Sequence, residues 1–348
     1  MAKNITMAEI AREMNVSTVT VSKALSGQKG VSEELAEKIN EQARTMGYIK
    51  ERSQQGIRQG HMIGVIVAER YLAEIQSFYW KMYQELSRCA IKKKCLTLLE
   101  VISSDEEKKR SDLPKIMQEK RVESLIVMGA FNKKYLSILL EKTDIPLLFL
   151  DTMLSEGKCD AVVSNNTLGG YKMTNYLYSM GHEKIGFVGT RLATTSIDDR
   201  YLGYVKSLME HGKKVDESWV IDDRDREGTV DINNKFVLPL HNMPTAFFCN
   251  CDFTASVLIS KLRENHFHVP EDISVVGFDN YLTDEYRCFA DGKITTYEID
   301  IAEMAKHAIH TILKKMENSG YTNGVFMIPG KFVEGVSVKE IGMPVPFV

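Results

Sequence analysis

Four polar side chains share one face of a predicted helix close to the start of the chain. They are the three hydroxyls and one cation of Thr18, Thr20, Ser22 and Lys23. Small hydroxyls approach base edges and phosphates closely, and a lysine donates hydrogen bonds to guanine or to a phosphate. This face therefore has the chemistry to enter a DNA major groove. The alternative is an ordinary helical hairpin whose polar face is only solvated.

Two further helices are predicted to hold that face in place. Thr6 begins a capping box with Glu9, which marks the start of the preceding helix. Asn15-Val16 interrupts the apolar pattern, and Ser17 is the N-cap candidate of the second helix. A third helix starts at Ser32 and ends at Met46-Gly47. The apolar residues expected to close the bundle are Ile10, Ala11, Met14, Val21, Ala24, Leu25, Leu35, Ile39 and Ala43. Residues 1–47 therefore form a small three-helix domain, the headpiece.

Composition and charge are those of a soluble globular protein with more than one domain. A length of 348 residues predicts two or three domains. The net charge is −3, but residues 1–60 carry +2 and the remainder −5. That asymmetry has the sign expected if only the N-terminal part meets phosphate. Because no apolar leader or membrane-length run occurs, we expect a cytoplasmic protein.

The cysteines and histidines do not follow a metal-ligand pattern. The six cysteines are scattered, and Cys249-x-Cys251 is the only close pair. Buried free thiols in a reducing cytosol explain them better, since no second Cys/His pair has a fitting spacing. His307 and His310 lie three apart on a predicted helix without a third ligand nearby. We therefore expect no metal and no cofactor.

From residue 63 onward, short β-rich runs alternate with helical patterns. The predicted strands are Ile63–Val67, Leu96–Val101, Ser124–Met128, Pro146–Leu150, Lys184–Val188, Trp219–Ile221, Thr245–Phe248, Ile273–Phe278 and a late strand at 325–329. The predicted helices are 77–93, 106–120, 133–142, 167–180, 198–211, 228–239, 252–266 and 301–317. This alternation predicts an α/β fold with two doubly wound parallel-sheet lobes side by side. Ligands are expected where the strand C-termini face the cleft between the lobes.

We expect the chain to cross between the lobes near residues 162, 291 and 324. The predicted domains are a headpiece at 1–47, a linker at 48–62, a first lobe at 63–162 plus 291–324 and a second lobe at 163–290 plus 325–348. The linker is polar and contains glycine, which is typical of a flexible tether.

About fifty consecutive positions resemble the headpiece of one family of regulators. The matching strings are V-S-T-V-T-V-S-K-A-L-S-G, G-V-S-E-E-L-A-E-K-I and A-R-T-M-G-Y. They resemble the DNA-binding headpiece of the lactose/galactose repressor (LacI/GalR) family. The two-lobed layout resembles the periplasmic-binding-protein-like core of the same family, so the resemblance covers essentially the whole chain.

The resemblance implies that the linker orders into a hinge helix on DNA, where an apolar side chain wedges into the minor groove. This sequence lacks the usual Ala-x-x-Leu, and Gly56 and Gly60 disfavour a helix. Ile57 is the only apolar candidate for the wedge, and a plain flexible tether is the alternative. The DNA-contacting residues expected from pattern and resemblance together are Thr6, Ser17, Thr18, Val19, Thr20, Ser22, Lys23 and Ile57.

The resemblance also indicates an effector site at strand ends. Asp151 resembles the acid of the family's F-L-D position, Arg200 the arginine of its R-x-x-G-aromatic motif, and Asp279 the acid of its G-[FY]-D motif. Two carboxylates and a guanidinium can grip the vicinal hydroxyls of a sugar. The alternative for these three residues is a structural ion-pair network that bridges the lobes.

Two features qualify that site. Phe78, Tyr79 and Trp80 open the first long helix, where a ring can stack on a pyranose or simply pack in the core. Cys251 stands where the family has a ligand-binding asparagine, and a thiol is a weak hydrogen-bond partner. Asn250 is adjacent but would point to the opposite side of its strand. The expected effector residues are Phe78, Tyr79, Asp151, Arg200, Cys251 and Asp279.

No catalytic motif for nucleophilic, phosphate-binding or zinc chemistry occurs in the sequence. Gly169-Gly170 opens a helix without the full G-x-G-x-x-G and is interpreted as a packing feature. We therefore expect a transcriptional regulator, most simply a homodimeric repressor that binds a pseudo-palindromic operator and a mono- or disaccharide, with no membrane partner. The rivals are a sugar-binding protein without regulatory action, an α/β sugar enzyme with a fused DNA-binding head, and a regulator whose unusual hinge changes how it binds operators.

Overall fold

The computed structural model describes residues 5–26, 30–46, 60–72, 77–109, 112–154, 159–225, 230–231, 235–282, 293–318 and 320–342. It divides into two compact units, Met1–Gln59 and Gly60–Val348. Among the described residues, no helix is both long enough and apolar enough to cross a membrane.

The first unit contains the three predicted helices, α1 (Met7–Glu13), α2 (Thr18–Ser26) and α3 (Glu33–Thr45). Both halves of the Thr6–Glu9 capping box are formed, which satisfies two N–H groups that the helix itself cannot pair. The side chains of Ile10, Val21 and Ile39 are fully buried, one from each helix. The apolar pattern therefore correctly predicted the core of this unit.

The first lobe of the second unit is built on a six-stranded parallel sheet. Its strands are β1 (Met62–Ala68), β2 (Leu96–Ile102), β3 (Ser124–Met128), β4 (Leu147–Leu150), β5 (Asp160–Ser164) and β11 (Val325–Ile328). Their order is β11-β5-β4-β3-β1-β2. The helices of this lobe are α4 (Phe78–Lys92), α5 (Ser104–Lys109), α6 (Lys115–Gln118), α7 (Lys133–Lys142) and α11 (Ile301–Glu317), with a 3-10 turn at Glu69–Tyr71.

The second lobe is built on a smaller parallel sheet of order β7-β6-β8-β9. Its strands are β6 (Ile185–Val188), β7 (Val220–Ile221), β8 (Ala246–Cys249) and β9 (Ser274–Val276), with helices α8 (Asn166–Ser179), α9 (Thr195–Glu210) and α10 (Asp252–Glu264) and a 3-10 turn at Glu217–Trp219. An antiparallel pair, β10 (Thr296–Glu298) and β12 (Lys331–Val333), continues this sheet. The backbone N–H of Gly277 bonds Thr295 O at 2.9 Å, which places β10 beside β9.

The late strand lies in the first lobe, not in the second, so the predicted domain 325–348 is wrong at its start. Strand β11 pairs with β5 in parallel from Val325 to Ile328. The fully buried Asp160 explains the placement, because its carboxylate accepts the Gly324 N–H at 2.9 Å and the Lys315 ammonium at 2.7 Å. The chain therefore crosses between lobes after Ser164, within two residues of the predicted 162, and then before Ile301 and after Ile328, later than the predicted 291 and 324.

Other element predictions differ from the structure for local reasons. The predicted helix 106–120 is two short helices, Ser104–Lys109 and Lys115–Gln118, and Pro114 is the N-cap residue of the second. Of the helix predicted over 228–239, only Lys235 is helical among the described residues, while Val230 bridges to Arg224 and residues 236–239 are irregular. Strands β5, β10 and β12 were not predicted, and β10 and β12 have only three residues each.

The glycine pair at 169–170 serves close packing. A Cβ on Gly169 would lie 2.5 Å from the Phe278 ring, and a Cβ on Gly170 would lie 2.3 Å from the backbone oxygen of Arg200. On the facing helix, a Cβ on Gly203 would lie 2.3 Å from Thr167 O. Helices α8 and α9 thus cross in close contact, and this contact fixes the backbone of Arg200.

Candidate DNA-binding face and effector cleft

The polar face of α2 is accessible in the first unit. Thr18, Val19 and Ser22 are exposed, while Thr20 and Lys23 are partly buried. Val19 is 63% exposed although it is apolar. An exposed valine among hydroxyls is suited to contact with a thymine methyl group. The sequence-predicted face is therefore assembled on one side of α2.

Hydrogen bonds at the helix N-termini occupy some of the hydroxyl groups near that face. The Ser17 hydroxyl accepts the Thr20 N–H at 3.0 Å, and the two hydroxyls lie 2.8 Å apart. The hydroxyl of Thr6 is likewise bonded to Glu9 at the start of α1. These side chains fix the helix starts and still leave oxygen lone pairs toward solvent. Ile57, the predicted wedge, lies outside the described residues.

In the first lobe, Asp151 ends β4 with a left-handed backbone (φ 59°) and a buried side chain. The Tyr79 hydroxyl donates to its Oδ2 at 2.8 Å. The buried Oδ1 has no hydrogen-bond partner in the described part of the chain. Burial raises the pKa of Asp151 to about 6, while the charge of Arg200 and the Tyr79 hydroxyl oppose that rise. Asp151 therefore presents one unpaired acceptor oxygen.

Aromatic rings line the cleft and cross it. The rings of Tyr71 and Tyr79 are 4.6 Å apart, and Phe78 meets Tyr79 edge-on at 5.4 Å. Phe78 also contacts Tyr281 of the second lobe at 6.0 Å. Trp80 instead packs near Tyr83, at 5.8 Å, and is 37% exposed. Of the three predicted aromatics, Phe78 and Tyr79 belong to the cleft.

In the second lobe, Arg200 of α9 is almost fully buried. Its Nε donates to Asn166 Oδ1 at 2.9 Å, and its Nη1 donates to the Asn250 carbonyl. Its Nη2 forms an ion pair with Asp279 Oδ1 at 2.9 Å, and the guanidinium lies 3.9 Å from the Phe278 ring centroid. Four contacts, namely two hydrogen bonds, an ion pair and a cation–π contact, hold this cation in one orientation.

Asp279 follows β9 with a left-handed backbone (φ 95°). Its N–H bonds Tyr297 O at 2.8 Å, which ties the residue to β10. Burial raises the pKa of Asp279, and the charges of Arg200 and Arg224 oppose the rise. The three predicted charged residues are thus close enough to influence one another, since Asp151 responds to both Arg200 and Asp279.

Asn250 and Asp252 face inward to the second lobe. Asn250 is buried and donates to Val188 O at 3.0 Å and to Asp223 Oδ2 at 2.7 Å. Asp252 accepts from the Thr296 hydroxyl at 2.7 Å and the Tyr281 N–H at 2.9 Å. Both therefore position other cleft residues.

Cys251, which precedes α10, is partly exposed, and its sulfur lies 3.3 Å from the Thr254 hydroxyl. Burial raises the pKa of this thiol, although Arg224 opposes the rise. It is therefore a neutral thiol at the position predicted for an effector contact.

Sequence reasoning missed Tyr71, Arg224 and Tyr281. Tyr71 lies in the 3-10 turn after β1, and Arg224 lies just beyond β7, so both follow strand ends as the predicted residues do. That position was the available signal. Tyr281 lies two residues after Asp279 and could have been suspected for the same reason.

Metal binding has no support in the described residues, where no group of three or more His, Cys, Asp or Glu side chains could hold an ion. His307 instead lies 3.2 Å from Glu303 on α11 and faces the Phe326 ring. What the cleft offers is hydrogen-bonding chemistry: a carboxylate oxygen, fixed guanidinium groups and flat apolar rings.

Two family models and several known proteins match the chain. A family model described as bacterial regulatory proteins, lacI family, matches residues 6–51, and one described as a periplasmic binding protein-like domain matches residues 174–338. The HTH-type transcriptional repressor PurR of Vibrio atlanticus (strain LGP32) is 27% identical over 339 residues, 97% of this chain and 99% of that protein. Residues 6–51 therefore carry a regulatory domain of the lacI family. Over nearly its full length, the chain is similar to a protein named as a transcriptional repressor.

Solved structures agree on the fold. A transcriptional regulator CelR–cellobiose complex superposes with a TM-score of 0.68 at 17% identity, covering 96% of this chain and 100% of that chain. A lac repressor dimer bound to operator and the anti-inducer ONPF gives 0.65 at 20% identity, covering 97% and 100%. The predicted α/β class, a helix-turn-helix headpiece followed by a periplasmic-binding-protein-like core, is confirmed.

Proposed function

We propose that this repressor is controlled by a sugar bound between the two lobes of its core. The observation that carries the proposal is the convergence of Asp151, Arg200 and Asp279 in one cleft, with an unpaired oxygen on Asp151. Carboxylates that accept and a guanidinium that donates suit the paired hydroxyls of a sugar. The rings of Tyr71 and Tyr79 offer a flat apolar surface for the face of a pyranose. The cellobiose bound in the CelR complex supports the same class of ligand.

The proposed control works through lobe closure. A sugar that bonds Asp151 from the first lobe and Arg200 from the second binds best to one relative position of the lobes. Ligand and operator then compete for different closure states, so the sugar weakens DNA binding. A coupling free energy of ~1–3 kcal/mol would change operator affinity roughly 5–150-fold.

The DNA-bound form we propose is a homodimer in the cytoplasm. Two α2 helices enter successive major grooves of a pseudo-palindromic operator, with half-sites about one turn apart. Thr18, Thr20, Ser22 and Lys23 supply base and phosphate contacts, and Val19 an apolar one. The lac repressor dimer bound to operator supports this arrangement. Thr6 and Ser17 contribute at the helix starts, and Ile57 of the linker is the proposed wedge.

A flat heterocycle such as a nucleobase is the second candidate effector. The specific observation in its favour is the group of aromatic rings formed by Tyr71, Phe78, Tyr79 and Tyr281. Such rings stack on a planar ligand as well as on a sugar face.

A ligand screen on the full-length protein tests the proposal. Melting temperature is measured with mono- and disaccharides and with nucleobases, and each hit is then added to a complex with operator DNA. We expect a sugar to raise the melting temperature and to weaken operator binding. A response to nucleobases alone would replace the sugar by the second candidate, and a sugar that leaves operator binding unchanged would contradict the control mechanism.

A further inference from the structure

Arg224 is a second fixed guanidinium beside the cleft. Its Nε lies 3.0 Å from Asp223 Oδ1 and its Nη2 lies 2.6 Å from Asp223 Oδ2, so one edge of the fork is filled by one carboxylate. The same Nη2 donates to Asn250 Oδ1 at 3.1 Å. No hydrogen bond is formed by Nη1 within the described residues, which leaves two N–H donors on that nitrogen.

The partner of Arg224 is itself held rigidly. Asp223 accepts the Thr190 N–H at 3.0 Å and the Thr254 hydroxyl at 2.8 Å, in addition to the Asn250 amide. Burial acts to raise the pKa of Asp223, but the charge of Arg224 and these hydrogen bonds outweigh it and lower the pKa to about 2. The carboxylate is therefore ionised under all physiological conditions, and the plane of the guanidinium is fixed.

Arg224 also faces the effector-binding groups. Its charge acts on the pKa of Tyr71 in the first lobe and on those of Cys251 and Asp279 in the second, in each case against the larger effect of burial. Because Asp223 and Asn250 occupy two sides of the guanidinium, the Nη1 side is the one left for a further hydrogen-bond acceptor.

The arginines near the cleft are already paired with carboxylates, whereas one acid is not. Arg70 pairs with Glu107, Arg200 with Asp279 and Arg224 with Asp223, so each of these cations already has a carboxylate. Asp151, in contrast, makes no ion pair in the described structure, although Arg200 lies near enough to affect it. Lys81, on the ring of Tyr281, is exposed to solvent. A buried anion would thus meet an unpaired acid and no uncompensated cation, which is unfavourable.

We propose that Arg224 is a specificity-determining residue of the effector cleft, which donates from Nη1 to an oxygen of an uncharged, polyhydroxylated ligand, while the Asp151 carboxylate, which has no ion-pair partner, disfavours phosphorylated and carboxylated sugars. This inference rests on the proposed sugar effector and narrows it. The ligand donates to Asp151 on one side and accepts from Arg224 on the other.

Isothermal titration of the full-length protein with matched probes tests the proposal. The probes are glucose, ribose and cellobiose, with glucose 6-phosphate, ribose 5-phosphate and glucuronate as their charged counterparts. The variant Arg224→Met leaves Asp223 buried and unpaired, so the pair variant Asp223→Asn with Arg224→Met removes both charges together. Arg224→Lys is the conservative variant, and Arg191→Met, on an exposed pair with Glu217, is the matched control.

We expect a neutral sugar to bind the wild type at least about tenfold more tightly than its charged counterpart. The pair variant should lose about tenfold in affinity for that sugar, with partial recovery in Arg224→Lys and no change in Arg191→Met. Tighter binding of a charged sugar, or a pair variant within twofold of wild type, overturns the inference and leaves the sugar-responsive repressor standing. If no sugar of either kind binds at about 10 mM, a concentration about ten times a millimolar dissociation constant, both proposals are wrong.

Discussion

The hydroxyl of Tyr79 donates to Oδ2 of Asp151 across 2.8 Å, from the first turn of α4 to the end of β4. This bond fixes the rotation of the carboxyl group. One oxygen is satisfied by the protein, and the other is left without a partner in the described structure. The acid is therefore oriented for a ligand before a ligand arrives.

We expect effector affinity to depend on pH through Asp151. Its pKa is raised to about 6, first by burial, and a ligand hydroxyl donates best to the ionised form. Affinity should therefore rise about tenfold from pH 5 to pH 7.5, since protonation below the pKa removes one acceptor charge per site. Titration calorimetry at several pH values measures it. Asp151→Asn should bind more weakly at pH 7.5 and show no such rise.

Stability should respond to the same group with the opposite sign. The folded pKa of Asp151 lies above its ordinary value of 3.8, so its contribution to the free energy of unfolding is most favourable below pH 4 and is lost as pH rises through 6.

For the pH dependence of effector affinity, the control is Asp144→Asn, at an exposed site, which should keep the wild-type profile. A pH-dependent affinity that persists unchanged in Asp151→Asn would assign the titration to another group.

Arg200→Ala and Asp279→Ala should each abolish the ligand response while operator binding persists. Each change leaves the other charge buried without its partner, which costs ~2–5 kcal/mol in comparable sites and predicts at least a 30-fold loss of ligand affinity. Ligand titration and operator binding are measured on the same preparations. Arg191→Ala, which breaks an exposed pair, should respond normally. A full response from both variants would show that the ligand binds elsewhere.

Lys23→Ala should weaken specific operator binding by ~1–3 kcal/mol, or about 5–150-fold. The lysine lies at the polar face of α2, and its loss removes a donor to a base or phosphate. Fluorescence anisotropy with a duplex selected by the wild-type protein measures the change, and its salt dependence separates the two contacts, because a lost phosphate contact lowers the salt slope by about 1. Lys38→Ala, which disrupts an exposed pair with Glu34 on α3, is the comparison. Equal affinity of both variants would remove Lys23 from the interface.

Gly170→Ala should destabilise the core by ~1–3 kcal/mol, as expected when a methyl group is forced into a packed contact. Its Cβ would lie 2.3 Å from the Arg200 carbonyl oxygen, so backbone must move. Denaturant unfolding measures the loss, and we expect ligand affinity to fall as well because α9 carries the Arg200 side chain. Gly324→Ala is the matched control, since nothing lies within 4 Å of its Cβ. A variant as stable as this control would show that α8 and α9 can separate without cost.

Periodicity predicted most of the fold because the strongest patterns coincide with the core. The helix over residues 133–142 and the strand Ser124–Met128 were found with their observed bounds, as was the buried face of the headpiece. Strand β11 was placed in the wrong lobe because pairing with β5 depends on Asp160, more than 160 residues away, and no local pattern records that contact.

Some residues of the candidate site were likewise found from the sequence and others only in the structure. Asp151, Arg200 and Asp279 stand at strand ends or in short motifs, and their resemblance to the family's motifs identified them. Arg224 lies in the polar run D-D-R-D-R, where one arginine cannot be distinguished from the next by spacing. Only the folded chain shows that one of them is fixed by Asp223 and Asn250, with Thr254 holding Asp223 in turn.

Strand β11 also bears on how the protein is made. The first lobe begins at residue 62, yet its outer strand is supplied by residues 325–328. During synthesis, the edge of β5 therefore stays unpaired until nearly all of the second lobe has emerged from the ribosome. A chain stalled before that strand would expose a template for pairing with neighbouring copies. We therefore expect molecular chaperones to protect that edge until translation is complete.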